Sequence, residues 1–197
     1  MLSQRNTWIF DMDGTLTVAM HDFDAIRVEL GLPSGQPILE ALAALPSAEA
    51  QPLHQRLDAM ELELATQARP QPGAQQLLQL LHQRAAHLGI LTRNTQPNAI
   101  ATLKACGLLS FFEPACILGR EMAAPKPNPD GINKLLDFWQ AQPTQAVMVG
   151  DYLFDLQAGR AAATLTVYVD IQQHKLWTDY ADITVHHLAE LLALIPD

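Results

Sequence analysis

Five short runs of apolar, β-branched and aromatic residues punctuate the chain, over 7–11 (TWIFD), 87–92 (HLGILT), 115–119, 146–150 (AVMVG) and 165–169. Each is too short for a helix and apolar at consecutive positions, the pattern of a strand buried on both faces. Between them apolar residues recur at helical spacing over 74–86, 96–106, 129–140 and 153–163. Pro72-Gly73 precedes the first of these and Gly107 follows the second, where helix boundaries are expected. Strand alternating with helix predicts an α/β fold, a doubly wound, Rossmann-like parallel sheet with helices on both sides. Residues 20–69 break the alternation. They hold no strand pattern and read as helices over 22–30, 37–44 and 49–68, interrupted by Gly31, Pro33, Gly35 and Pro46. The expectation is a small helical cap, residues 20–69, inserted after the first strand of a core made of 1–19 and 70–197. Trp8, Phe10 and Phe154 are expected in the core.

Composition narrows the class. A chain of 197 residues, 49% hydrophobic and 17% charged, can bury the core of one domain with an insertion. Twelve Lys and Arg against 21 Asp and Glu leave a net charge of −9, which repels nucleic-acid phosphates and anionic lipid. No apolar run approaches the length of a spanning helix, so neither nucleic acid nor membrane is expected as a partner. Cys106 and Cys116 show no CxxC spacing and read as reduced thiols of a cytoplasmic protein. A phosphorylated ligand of so acidic a chain has to be held locally, by a metal ion or by oriented amides.

The polar residues that could do so stand where strands end, the edge at which open α/β sheets build their sites. Asp11 and Asp13 close the first strand in Asp11-Met12-Asp13-Gly14-Thr15-Leu16-Thr17. Their i, i+2 spacing lets both carboxylates face one pocket, although a lone DxD is also a common solvated turn. Thr92, followed by Arg93 and Asn94, ends the second strand. Lys126 lies among prolines in residues 124–130 (APKPNPD), and Asp151 and Asp155 follow the fourth strand. His21 and Asp22, where the chain enters the cap, read equally as hinge or substrate residues and as an ordinary helix start. His174, His186, His187, Glu61 and Glu63 read as solvated.

This set of motifs, in this order, resembles the haloacid dehalogenase superfamily of hydrolases over residues 7–169. The resemblance implies a Mg2+-dependent phosphatase in which Asp11 attacks phosphorus and becomes a phospho-aspartate. Asp13 would serve as general acid and base. Asp11, the backbone carbonyl of Asp13, and Asp151 would ligate Mg2+. The Thr92 hydroxyl, the amides of Arg93 or Asn94, and Lys126 would hold the phosphate, with Asp155 facing the site from one helical turn beyond Asp151.

Other classes fit less well. A phospho-acceptor receiver domain shares the acidic residues, Thr and Lys but has no insertion after its first strand. A binding protein on an inactivated hydrolase fold would have lost an acidic position, and none is lost. Dehalogenases lack the second acidic residue, so Asp13 points to phosphoryl chemistry. A phosphomutase of the β-phosphoglucomutase type shares every motif. The cap placement is similar to that of phosphoglycolate phosphatases, although Val18-Ala19 stands where those enzymes usually carry Asp-Ser. The expected substrate is a small phosphomonoester, with phosphoglycolate and sugar phosphates ahead of nucleotides.

Overall fold

In a computed structural model, which describes residues 2–195, the apolar runs form a six-stranded, all-parallel sheet. Its strands are β1 (Thr7–Phe10), β2 (His87–Leu91), β3 (Ile117–Leu118), β4 (Ala146–Gly150), β5 (Leu165–Val169) and β6 (Ile183–Val185). The order is β3-β2-β1-β4-β5-β6. The chain moves outward from β1 to β3, then returns to lay β4 against the other side of β1, with Phe10 in register with both Ile90 and Val149. The order therefore reverses at β1, and the crevice above its carboxyl end is where a ligand site forms in such sheets.

Alternation along the strands divides the core into two layers. Trp8, Phe10, Ile90, Val147, Val149 and Val167 pack on one face. They meet Leu77, Leu78 and Leu81 of a helix over Ala74–Gln83, Leu103 of a helix over Gln96–Ala105 and Leu191 of a helix over Leu188–Leu194. Ile9, Leu91 and Met148 point the other way, against Leu135 of a helix over Asp130–Trp139 and Ala158 of a helix over Leu153–Ala161. Both faces are dry, which is why the strands read as continuous apolar runs.

Between β1 and β2 the chain builds helices over Phe23–Glu29, Ile38–Ala43 and Ser47–Ala65. Ile26, Leu30, Ile38, Leu42 and Leu57 form a separate small cluster among them. The two connections to this helical insertion are themselves paired: the Val18 amide donates to the Arg69 carbonyl at 2.9 Å and the Gln71 amide to the Leu16 carbonyl at 2.8 Å. Among the described residues no helix is long and apolar enough to cross a membrane, and Cys106 and Cys116 are free thiols.

The structure adds a sixth strand and a terminal helix that the sequence pattern leaves unassigned. Three residues, Ile183–Val185, are too few to show a period, and they join the sheet only because β5 offers an open edge. The central strands are insulated from water by comparison. Replacing fully buried Ile90 by Ala is expected to cost about 2–5 kcal/mol of stability, read as a lowered urea midpoint with an unchanged slope.

Candidate active site

Asp11 continues β1 by one residue, its amide donating to the Val149 carbonyl at 2.9 Å, so its carboxylate emerges between β1 and β4. The chain then turns around one carbonyl: the amides of Thr15, Leu16 and Thr17 all donate to Met12 O at 3.0–3.3 Å. Gly14 sits in this turn at φ +91°, and a Cβ there would lie 2.3 Å from Asp151 Oδ2. Only glycine lets the Asp151 carboxylate rest on the turn, where Thr15 Oγ1 donates to its Oδ1 at 3.0 Å. Gly150 serves Asp155 in the same way, since a Cβ would meet the Asp155 Cβ at 2.2 Å.

Lys126 enters from the loop after β3 and is buried. Its ammonium donates to Asp11 Oδ1 at 2.5 Å and lies 2.7 Å from Asp155 Oδ1. Asp155 Oδ2 accepts the Tyr152 amide at 3.0 Å. Oxygens of Asp11, Asp151 and Asp155 lie within 4.8 Å of one another. When ionised these three carboxylates outweigh Lys126 by two negative charges, and the titration behaviour reflects that excess. Burial raises Asp11 despite Lys126. Burial, then repulsion from Asp11 and Asp155, pushes Asp151 well above the usual carboxylate range. Burial holds Asp155 up at about 6 against the pull of Lys126. Burial would lower Lys126, but Asp11 and Asp155 outweigh it and keep the ammonium charged. An all-oxygen donor set with two uncompensated charges fits a hard divalent cation.

Asp13 is half-buried beside this group. Burial raises it to about 6, while Lys126 and a hydrogen bond from Asn94 pull the other way. His21 Nδ1 stands 3.9 Å from Asp13 Oδ1, which places His21 in the site, whereas Asp22 only caps the first helix of the insertion by accepting the Ala25 amide. Thr92 is buried at the end of β2, and its Oγ1 accepts the Asn94 amide at 3.0 Å. The Asn94 amide is thus bonded to Thr92, which leaves the Thr92 hydroxyl proton and the Arg93 amide as donors at this strand end. Arg93 is no mere surface charge. Its guanidinium donates to the Lys126 carbonyl at 2.6 Å, pairs with Glu40 of the insertion at 2.5 Å and stacks over Phe154 at 4.9 Å.

A cavity of about 370 Å3 opens above these groups and is closed on its far side by the helical insertion. Two expectations are corrected here. Phe154 is not core: it begins the helix after β4 and lines the cavity, because that helix turns its first residues toward the strand ends. Glu61 is not solvated: it is buried and pairs with Arg120 at 2.9 Å, while Arg120 also binds Asp58 and the Arg93 carbonyl. Arg120 was not singled out by its sequence neighbourhood. The signal available was its position just past β3, at the same sheet edge as Thr92 and Asp151. Glu63 is exposed as expected. His186 and His187 bond locally to the Asp170 carbonyl and Glu190, His174 lies in the loop after β5, and none of the three lines the cavity.

Residues 24–169 match the family model described as haloacid dehalogenase-like hydrolase. An uncharacterized hydrolase of Saccharomyces cerevisiae is 30% identical over 199 residues, covering 95% of this chain and 89% of that protein. The pyrophosphatase PpaX of Listeria welshimeri is 29% identical over 129 residues, 64% of this chain and 58% of its own length. A haloacid dehalogenase-like family hydrolase from Streptococcus pneumoniae superposes with a TM-score of 0.75 at 25% identity, covering 97% of this chain and 98% of that one. Family model, full-length relative and fold agree, and the chain belongs to the haloacid dehalogenase-like hydrolases.

Proposed function

We propose that this hydrolase is a Mg2+-dependent phosphatase that cleaves a small phosphomonoester through a phospho-aspartate at Asp11. The observation that carries the reading is the convergence of three carboxylates on one buried ammonium at the carboxyl end of β1, with Asp13 alongside. Asp11, the Asp13 carbonyl and Asp151 would hold the cation, with Asp155 available beside them. Bound there, the ion would neutralise phosphoryl oxygens and the excess carboxylate charge.

In the first half-reaction a carboxylate oxygen of Asp11 attacks phosphorus in line with the ester oxygen, whose bond to phosphorus breaks. Asp13 donates its proton to the departing alkoxide. In the second, Asp13 takes a proton from water as that water attacks the acyl phosphate, which releases inorganic phosphate and regenerates Asp11. A carboxyl raised to about 6 can hold that proton and give it up near neutrality. Lys126 orients Asp11 and offsets charge on the transferring group, and the Thr92 hydroxyl is placed to donate to a phosphoryl oxygen. The relationship to a pyrophosphatase supports phosphoryl transfer to water and keeps pyrophosphate among the substrates to be tried beside phosphoglycolate and sugar phosphates. A mutase of the β-phosphoglucomutase type would return an isomerised sugar phosphate in place of free phosphate.

Phosphate release from such a panel with Mg2+ tests the reading. Asp11→Asn is nearly isosteric and is expected to lower kcat by about 10³ or more with an unaltered far-ultraviolet dichroism spectrum; activity within tenfold of wild type contradicts the assignment. Chelation with EDTA is expected to silence the enzyme and Mg2+ to restore it, whereas Ca2+, with longer and looser coordination, restores little. Full activity in chelator contradicts the metal assignment.

A further inference from the structure

Two buried side-chain nitrogens among the described residues have no hydrogen-bond partner, His21 Nδ1 and Arg27 Nε, and both belong to residues that line the cavity. A buried polar atom left unpaired in a folded protein calls for a reason, and a part in chemistry is one. Arg27 has partners for the rest of its guanidinium, Asp24 at 2.6 Å and the Gln36 carbonyl at 3.3 Å. His21 Nδ1 is the more telling of the two, because it stands 3.9 Å from Asp13 Oδ1.

That distance is an incomplete contact. A hydrogen bond needs about 3 Å between these atoms, and a water bridging them tetrahedrally would hold them roughly 4.6 Å apart. The His21 side chain is only 8% exposed, and its ring is stacked on Phe23 with centroids 5.4 Å apart. The two residues also belong to different parts of the fold. Asp13 is fixed in the turn after β1, and Asn94 bonds its carboxyl from the core side. His21 lies beyond the paired connection of Val18 to Arg69, just before the first helix of the insertion. Glu61, on the long helix of the insertion, is close enough for its charge to act on the His21 ring, and it is itself paired with Arg120 of the core at 2.9 Å. The gap between His21 and Asp13 therefore depends on how the insertion is seated, and closing it takes about 1 Å of travel.

We propose that His21 is a positioning residue for Asp13: as the insertion settles over a bound substrate, His21 Nδ1–H donates to Asp13 Oδ1 and leaves Oδ2 to carry the proton. The inference rests on the phosphatase reading, in which Asp13 is general acid and base, and adds a residue that aims it. No proton passes to or from His21. Its ring acts only as a donor, whether neutral with the hydrogen on Nδ1 or protonated. Held by Asn94 on one side and His21 on the other, the carboxyl cannot turn away from the departing oxygen, so proton transfer is coupled to closure of the insertion.

The test compares His21→Phe, which keeps a ring against Phe23 but has no donor, with His21→Asn, whose side-chain amide places an N–H near the position of Nδ1. Each full chain is assayed with Mg2+ on phenyl phosphate and p-nitrophenyl phosphate, esters of similar shape of which the first depends far more on protonation of its leaving group. In His21→Phe, kcat/KM is expected to fall about tenfold or more on phenyl phosphate and less than about threefold on p-nitrophenyl phosphate. His21→Asn is expected to keep about a third or more of the wild-type value on phenyl phosphate. On p-nitrophenyl phosphate, acid-quenched His21→Phe is expected to hold at least about twice the wild-type level of phosphoenzyme, because water attack also needs Asp13. Equal losses on the two esters, no loss on either, no rise in phosphoenzyme, or a His21→Asn enzyme as slow as His21→Phe overturns the positioning role and leaves the phosphatase reading standing. Should His21→Phe not fold by far-ultraviolet dichroism, His21→Gln, whose amide lies one bond further out, takes its place with the same expectations. No phosphate released from either ester by the wild type overturns the phosphatase reading and the inference with it.

Discussion

Carboxylates of Asp11, Asp151 and Asp155 lie within 4.8 Å of one another, and they can stay ionised together there only if positive charge stands among them. The buried ammonium of Lys126 supplies the first of that charge, bonded to Asp11 and Asp155 together. Burial, together with repulsion from Asp11 and Asp155, raises Asp151, and the remaining excess of negative charge fits a divalent cation. Much of the sheet can be read as the means of bringing this charge balance about. Asp11, Lys126 and Asp151 are far apart in sequence, and a parallel sheet whose order reverses at β1 delivers all three to one edge. Gly14 and Gly150 then remove the side-chain atoms that would hold the carboxylates apart.

The helical insertion meets that edge through ions as well as through apolar contact. Arg93, which follows Thr92, joins the Lys126 carbonyl to Glu40, and Arg120 joins the Arg93 carbonyl to Asp58 and Glu61. The loops that carry Thr92 and Lys126 are thus tied to the same helices that wall the cavity. Pairs of this kind, partly open to water, contribute modestly to stability. Their consequence is geometric: they fix where the insertion stands relative to the strand ends.

Much of this was legible in the residues. Short apolar runs alternating with helical periods were sufficient for the doubly wound sheet, because strands dry on both faces carry an unbroken signal. Asp11, Asp13, Thr92 and Asp151 were legible because each stands at or close beyond a strand whose end was visible, and Lys126 because it lies in the proline-rich loop APKPNPD; the structure brings all five to one cavity. Ile183–Val185 was hidden by its brevity. Glu61 and Arg120 were hidden for another reason: each looks like an ordinary surface charge, and its burial depends on a partner 59 positions away that no local pattern reveals. Phe154 was misplaced because an aromatic residue near a strand reads as core, whereas its helix turns it into the cavity. The bond from the Asn94 amide to the Thr92 hydroxyl oxygen was likewise not legible, because it depends on how the chain turns after β2.

The most direct measurement is the identity of the phosphorylated residue. Asp13→Asn enzyme mixed with p-nitrophenyl phosphate and Mg2+, then quenched in acid within seconds, should accumulate the covalent intermediate, because this leaving group needs no proton while water attack lacks its base. Peptide mass spectrometry is expected to find one phosphoryl group on the peptide that contains Asp11, sensitive to hydroxylamine as an acyl phosphate is. Phosphate on any other residue, or wild-type turnover with no phosphorylated peptide, would contradict the account.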